Sequence, residues 1–128
     1  MNDGFVVIIP ARYASSRLPG KPLLDIAGRP LLQHVYDAAK ASEAGAVYIA
    51  TDDERIVELA GTFGARALMT DRNHRSGTDR LAEAARMLQL DGDIIIVNLQ
   101  GDEVGMSAPV INQVARLLQA NTSANMAT

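Results

Sequence analysis

The chain has no cysteine, and its apolar runs are short. Without cysteine, neither a disulfide framework nor a cysteine-based metal site is possible. No apolar run approaches the roughly 18 residues of a membrane-spanning helix. The sequence does not open with a basic segment followed by the apolar core of a secretory signal. We therefore expect a soluble, cytoplasmic protein that does not associate with membranes.

An excess of positive charge is also lacking, since the net charge is −3 and the isoelectric point is about 5.2. This balance argues against nucleic acid or an anionic membrane surface as the main partner. An anionic ligand would then bind at a small, local site. The 128 residues are 48% apolar, which suffices for a real core. We expect residues 1–128 to form part of a single domain.

Apolar runs alternate with amphipathic segments along the chain. Continuous apolar runs predict buried strands at 4–9, 46–50 and 93–97, with a weaker strand at 66–69. Amphipathic patterns predict helices that begin at Pro30, at Asp52 or Asp53, at Thr78 and after Ser107. This alternation predicts an α/β fold, a Rossmann-like, mostly parallel sheet with helices on both faces in three layers. Residues 126–128 resemble the start of a further strand, so the sheet is expected to be incomplete at the C-terminus.

Ligands of such sheets bind beyond the carboxyl ends of the strands. The loop after Ile9 brings Arg12, Arg17 and Lys21 within ten residues, together with a Pro-Gly turn. Arginine forks and a mobile lysine suit the oxygens of a polyphosphate. The spacing matches neither a P-loop nor a dinucleotide-binding glycine motif. A solvated basic loop is the alternative interpretation.

The segment 98–103 follows the last strong strand at the same predicted edge. The Asp102 carboxylate could bind Mg²⁺ while phosphate oxygens and water complete the coordination. Gln100 offers a donor and an acceptor to a sugar hydroxyl or a base edge. Glu103 would lie behind the metal or face solvent. The alternative is that Gly-Asp-Glu at 101–103 is ordinary turn composition.

A further loop at 74–78 precedes the third predicted helix. Ser76, Gly77 and Thr78 could read polar base edges at a helix N-terminus. The alternative is a capping turn with Thr78 as the N-cap. The acidic run at 52–54 is interpreted as a capping cluster for the second helix. His34 is interpreted as a packed or surface histidine and not as a ligand.

Four separated motifs, in order and in spacing, resemble the 3-deoxy-D-manno-octulosonate (KDO) cytidylyltransferases, the CMP-KDO synthetases of Gram-negative bacteria. The motifs are FVVIIPARYASSRLPGKPL at 5–23, ATDD at 50–53, HRSGTDRL at 74–81 and VNLQGDE at 97–103. The resemblance implies a nucleotide-diphospho-sugar transferase fold and the reaction CTP + KDO → CMP-KDO + pyrophosphate, for lipopolysaccharide biosynthesis. It also implies CTP and KDO as partners, Mg²⁺ as cofactor and a homodimer in full-length members.

The resemblance assigns roles to individual residues. It implies that Arg12, Arg17 and Lys21 hold the triphosphate, with Arg12 and Lys21 also catalytic. It implies that Ser76 and Gly77 lie at the cytosine and that Gln100 contacts the nucleotide. Asp102 would be the metal ligand and a catalytic residue.

Two departures from the family pattern bear on these expectations. Family members are about twice as long, so the chain resembles their N-terminal half, without the second metal-binding aspartate and much of the sugar-acid pocket. Val104 stands where the family has proline, so the loop after Asp102 need not share the family's geometry. The alternatives are a catalytically incomplete CTP-binding fragment or an interaction module of the same fold. An activator of another sugar acid is a further alternative, but RLPGKPL at 17–23 favours KDO.

Overall fold

The structure is a computed structural model that describes residues 5–12, 21–71, 77–90, 94–100, 107–120 and 126–127. The strands are β1 (Phe5–Ala11), β2 (Asp25–Ile26), β3 (Arg29–Pro30), β4 (Ala46–Thr51), β5 (Arg66–Met69), β6 (Ile95–Asn98) and β7 (Met126–Ala127). The helices are α1 (Leu31–Ala41), α2 (Glu54–Thr62), α3 (Gly77–Met87) and α4 (Ala108–Ala120), with a short 3-10 turn, η1 (Lys21–Leu23).

The main sheet has the strand order β5-β4-β1-β6-β7, and every neighbouring pair in it is parallel. Strand β1 lies at its centre, and all of its residues are buried. A strand that is covered on both faces is typical of a parallel sheet, where an uninterrupted apolar run replaces the usual alternation. The predicted α/β class and the parallel sheet are confirmed in the described ranges.

Successive residues of β1 pack into two separate cores, because side chains alternate between the faces of a strand. Phe5, Val7 and Ile9 join a core with apolar residues of α1, α2 and α4. Val6 and Ile8 join a second core with residues of α3. Helices therefore cover both faces of the sheet, in the three layers that the sequence predicts.

The starts of the helices correct two predictions and confirm another. Asp53 caps α2 by accepting a hydrogen bond from the Arg55 backbone N–H at 2.8 Å. Pro30, predicted in the first turn of α1, lies before the helix with ψ of 147°, and belongs to β3. Thr78, predicted as an N-cap, lies inside α3, because that helix begins at Gly77.

The hairpin of β2 and β3 is absent from the sequence-based prediction. Its two-residue turn, Ala27-Gly28, has φ values of 54° and 86°, as a type I′ turn requires. Alanine is an unusual first residue for this turn, so the strongest hairpin signal, Asn-Gly, is missing. The hairpin is held to α1 by His34 Nε2, 2.6 Å from the Ile26 carbonyl, and by an Arg29–Asp37 ion pair.

Two helices end in the same backbone motif with different residues at the left-handed position. After α2, Gly64 has φ of 78°, and the Ala65 N–H donates to the Ala60 carbonyl at 2.9 Å. After α3, Gln89 has φ of 54°, and the Leu90 N–H donates to the Ala85 carbonyl at 3.2 Å. A side chain at the left-handed position costs about 1–2 kcal/mol, which glycine avoids.

Replacing Gln89 by glycine should therefore stabilise the chain. We expect Gln89→Gly to raise the free energy of unfolding by about 0.5–1 kcal/mol, since the relief of strain exceeds the extra entropy of the unfolded glycine. Urea unfolding followed by far-UV circular dichroism measures the change. Gln113→Gly, on the exposed face of α4, is the matched control and should lower the stability by about 1 kcal/mol. Equal losses in both variants would contradict the strain at Gln89.

Candidate functional site

Three neighbouring strands deliver polar residues to one edge of the sheet. Ala11 at the end of β1 pairs with Thr51 at the end of β4, and the Leu99 N–H after β6 donates to the Ile8 carbonyl at 3.1 Å. Neighbouring strands lie about 4.8 Å apart, so Arg12 and Gln100, which follow β1 and β6, leave the sheet side by side. The carboxyl edge predicted from the sequence is therefore present.

The basic loop is described at its two ends. Arg12 directly follows β1 and is exposed, and Lys21 opens η1 with its side chain half-buried. Pro22 is buried and Leu23 packs against the core, which fixes the backbone at Lys21. Arg17 lies outside the described residues. The structure thus anchors the two ends of the predicted phosphate loop.

Of the other predicted site residues, two lie in the described ranges and two lie outside them. Gly77 is the first residue of α3, and Gln100 lies half-buried two positions beyond β6. Ser76, Asp102 and the neighbouring residues 103 and 104 lie outside the described residues. Gly77 and Gln100 both lie at the carboxyl edge, and their contact with a nucleotide stays a prediction.

A buried arginine at this edge is absent from the sequence-based prediction. The Arg80 side chain is 0% exposed. Its guanidinium donates to Thr70 Oγ1 and, at 3.1 Å, to the Asp71 carbonyl, and it pairs with Asp52 Oδ2 at 3.3 Å. We call Arg80, Asp52, Thr70 and Asp71 the Arg80 network. It joins the ends of β4 and β5 to the first turn of α3.

Further hydrogen bonds reinforce this junction. The Thr70 N–H and hydroxyl both donate to the Thr51 carbonyl, at 2.7 and 3.1 Å. The Thr51 hydroxyl accepts from the Asp53 N–H at 3.2 Å, and Glu83 Oε1 accepts from the Asp71 N–H at 3.0 Å. The carboxyl ends of two strands and the start of α3 are therefore fixed relative to one another.

Asp52 and Asp53 have different partners, although the sequence predicts that both belong to one capping cluster. Asp53 caps α2 and also binds the Arg55 side chain through both carboxylate oxygens, at 2.9 and 2.7 Å. Asp52 instead pairs with Arg80, 28 positions along the chain. Its assignment to the capping cluster is wrong. Sequence spacing could not reveal this, because the pairing depends on how α3 crosses the sheet.

A second buried polar side chain ends β6. Asn98 is 2% exposed, and neither its Oδ1 nor its Nδ2 has a hydrogen-bond partner among the residues that the structure describes. Within the same described ranges, the Arg80 Nε is also buried without a partner. A buried polar group left unpaired costs about 1–3 kcal/mol. The unpaired amide of Asn98 therefore lowers the stability at the candidate site itself, two residues before Gln100.

An altered pKa occurs away from this edge. Burial raises the pKa of the Tyr36 hydroxyl, and the neighbouring Asp37 carboxylate adds to the effect. The Tyr36 ring lies on α1 and packs at 5.2 Å from the Phe63 ring in the core. We assign Tyr36 a structural role.

The described ranges show neither a metal-binding cluster nor a membrane-spanning helix. They contain no group of three or more His, Asp or Glu side chains placed to hold a metal ion, and Asp102 is outside them. Within the same ranges, no helix has the length and apolar character to cross a membrane.

Residues 6–128 match the protein family described as cytidylyltransferase. The chain belongs to the cytidylyltransferase family. Curated proteins that are similar to the chain in sequence include the 3-deoxy-manno-octulosonate cytidylyltransferases of Hahella chejuensis and Pseudomonas fluorescens. The first is 60% identical over 98% of the chain and 49% of the relative. The second is 57% identical over 100% of the chain and 50% of the relative. The resemblance predicted from four motifs is confirmed.

A solved structure supports the same family assignment. A CMP:2-keto-3-deoxy-manno-octonic acid synthetase complexed with CTP superposes with a TM-score of 0.86 at 43% identity. The match covers 94% of the chain and 49% of the synthetase. The chain therefore spans about half the length of the relatives that it matches.

The unpaired amide of Asn98 leads to a stability prediction. Asn98→Leu keeps the branching of the side chain and removes two buried polar atoms, so we expect the free energy of unfolding to rise by about 1–2 kcal/mol. Urea unfolding measures the change. The control is Asn112→Leu, which removes the oxygen that accepts from the Glu43 N–H at 2.7 Å and should give no gain. A loss of stability in Asn98→Leu would mean that the amide has partners after all.

Proposed function

We propose that the chain is the nucleotide-binding part of an enzyme that transfers CMP from CTP to KDO and releases pyrophosphate, in the cytoplasmic synthesis of lipopolysaccharide precursors. One observation supports this most. The ends of the basic loop, the start of α3 and Gln100 lie at one sheet edge, in a fold that matches a CTP-complexed synthetase.

The triphosphate binds to Arg12, Arg17 and Lys21. A guanidinium binds two phosphate oxygens at once, and a lysine ammonium adds a mobile point charge. The exposure of Arg12 and the anchored backbone at Lys21 support this role, because the two cations flank the loop that would enclose the phosphates.

The cytosine lies at the start of α3, next to Ser76 and Gly77. Backbone N–H groups in the first turn of a helix have no partner within the helix and can bind polar ligand atoms. Gln100 contacts the nucleotide from the end of β6. The half-buried position of Gln100 is compatible with such a contact.

Asp102 is the residue that would hold Mg²⁺. Its carboxylate is a hard oxygen donor, and a site with one carboxylate, phosphate oxygens and water suits this ion. Its position, two residues after Gln100 in the sequence, supports the assignment. When bound, the ion neutralises charge on the phosphate oxygens.

The reaction needs positioning more than covalent help from the protein. The oxygen of the KDO anomeric hydroxyl forms a bond to the α-phosphorus and its proton passes to water, while the bond from that phosphorus to the pyrophosphate oxygen breaks. Arg12 and Lys21 stabilise the negative charge that grows on the departing pyrophosphate. We expect the full-length enzyme to be a homodimer, as the family resemblance implies.

The length of the chain favours a second candidate for the chain on its own. The chain spans about half the length of its relatives. We therefore propose that these 128 residues bind CTP weakly, that this binding depends on Mg²⁺, and that they transfer little or no CMP to KDO. Incubation with CTP, KDO and Mg²⁺, followed by chromatography for CMP-KDO, measures the transfer. Turnover at the rate of a full-length relative assayed in parallel would overturn this candidate.

Binding by the basic loop is tested with Lys21. We expect Lys21→Ala to raise the Kd for CTP about 10-fold or more, because a hydrogen bond to a charged group contributes about 1.5–3 kcal/mol. Isothermal titration with CTP and with GTP, with and without Mg²⁺, measures the affinities. Lys40→Ala, an exposed position on α1, is the control and should leave the Kd unchanged. Equal affinity of the unmodified chain for CTP and GTP would count against the cytosine assignment.

A further inference from the structure

Arg80 is buried to a degree that is unusual for arginine. Its side chain is 0% exposed, whereas its partner Asp52 remains 18% exposed. Burying a guanidinium is costly, and apolar residues of similar volume often stabilise a protein more than a buried ion pair does. Stability alone therefore does not account for an arginine at this position. Its contacts suggest a geometric role.

The contacts of Arg80 come from two other segments of the chain. The Asp52 carboxylate follows β4, and the Thr70 hydroxyl and Asp71 carbonyl follow β5. The planar guanidinium has five N–H donors in a fixed fork, so satisfying these acceptors restricts its position and orientation. The Arg80 network thereby fixes the start of α3 against two strand ends.

Gly77 lies three residues before Arg80, so the two positions are neighbours on the helix surface. Leu81 and Ala84 attach the middle of α3 to the sheet through apolar contacts. Apolar contacts tolerate small shifts, but hydrogen bonds weaken steeply when their geometry is poor. The Arg80 network therefore controls the exact placement of the Gly77 backbone.

We infer that Arg80 is a positioning residue for base recognition: through Asp52, Thr70 and Asp71, it sets the place of the first turn of α3, where the cytosine binds. The inference rests on the proposed function. Arg80 does not contact the nucleotide. Recognition groups must be held within about 0.5 Å of their productive geometry, which a loosened α3 would not achieve.

This role separates base selectivity from triphosphate affinity. Arg12 directly follows β1 and Lys21 opens η1, and none of the contacts that the structure gives for Arg80 involves them. Loosening α3 should therefore reduce the preference for CTP over UTP, which differ at one edge of the base. Affinity for inorganic tripolyphosphate, which has no base, should persist.

The test uses Arg80→Met, Arg80→Lys and Thr70→Val in the full chain. Thr70→Val removes one acceptor and keeps the arginine. Arg86→Met, exposed near the end of α3, and Thr62→Val, exposed at the end of α2, are the matched controls. Titration calorimetry measures the Kd of CTP, UTP and tripolyphosphate, and far-UV circular dichroism identifies variants that fold.

We expect Arg80→Met and Thr70→Val to lower the ratio of CTP to UTP affinity about 10-fold, equivalent to about 1.4 kcal/mol. Arg80→Lys should keep the charge without restoring the ratio, because an ammonium cannot reproduce the fork. In all variants, the Kd for tripolyphosphate should stay within about twofold of the value for the unmodified chain, which is a change in binding free energy of about 0.4 kcal/mol or less. Both controls should behave as the unmodified chain.

The outcomes separate this inference from the proposed function. An unmodified chain without preference for CTP would overturn the proposed function. A selective unmodified chain whose folded Arg80 and Thr70 variants keep the same ratio would overturn the role of Arg80 alone. Equal loss of affinity for all three ligands would also overturn it, as a purely structural effect. If Arg80→Met does not fold, Thr70→Val and Arg80→Lys decide the question.

Discussion

The hydrogen-bonded pairing of β1 with β4 and β6 is the constraint on which the rest of the structure depends. Because β1 is buried on both faces, its two sets of side chains organise both cores. Because both neighbours run parallel to it, three chain segments leave the sheet at one edge. The same ladder that holds the core together thus decides where a ligand can bind.

The sheet could be predicted from the sequence because its strands carry an unambiguous signal. Residues 5–9 and 46–50 are continuous apolar runs that indicate buried strands, and the structure extends each by one or two residues. The β2–β3 hairpin could not be predicted in this way. Its strands have two residues each, and its turn relies on alanine in a left-handed conformation, which the tertiary contacts to α1 hold in place.

The part of the candidate site that belongs to one loop could be predicted from the sequence. The part that depends on contacts between distant segments of the chain could not. The basic residues at 12–21 lie within ten positions of one another, so the sequence alone identifies the cluster. Arg80 occupies a helix position next to the buried Leu81, and its guanidinium binds acceptors 9 to 28 positions away. The periodicity of a helix indicates which side is buried, but it does not identify the partner of a buried charge.

The distribution of buried polar side chains connects stability with function. In the described ranges, the buried polar or charged residues are Thr51, Thr70, Arg80 and Asn98. All four lie at the carboxyl ends of β4, β5 and β6 or in the first turn of α3. Elsewhere in those ranges the core is apolar, as the strongest folding signal requires. Thr51 and Thr70 are hydrogen-bonded, whereas Arg80 and Asn98 carry buried polar atoms without a partner among the described residues. Packing alone would favour apolar replacements for these two side chains, so their place at one edge indicates that the geometry of the edge depends on polar groups.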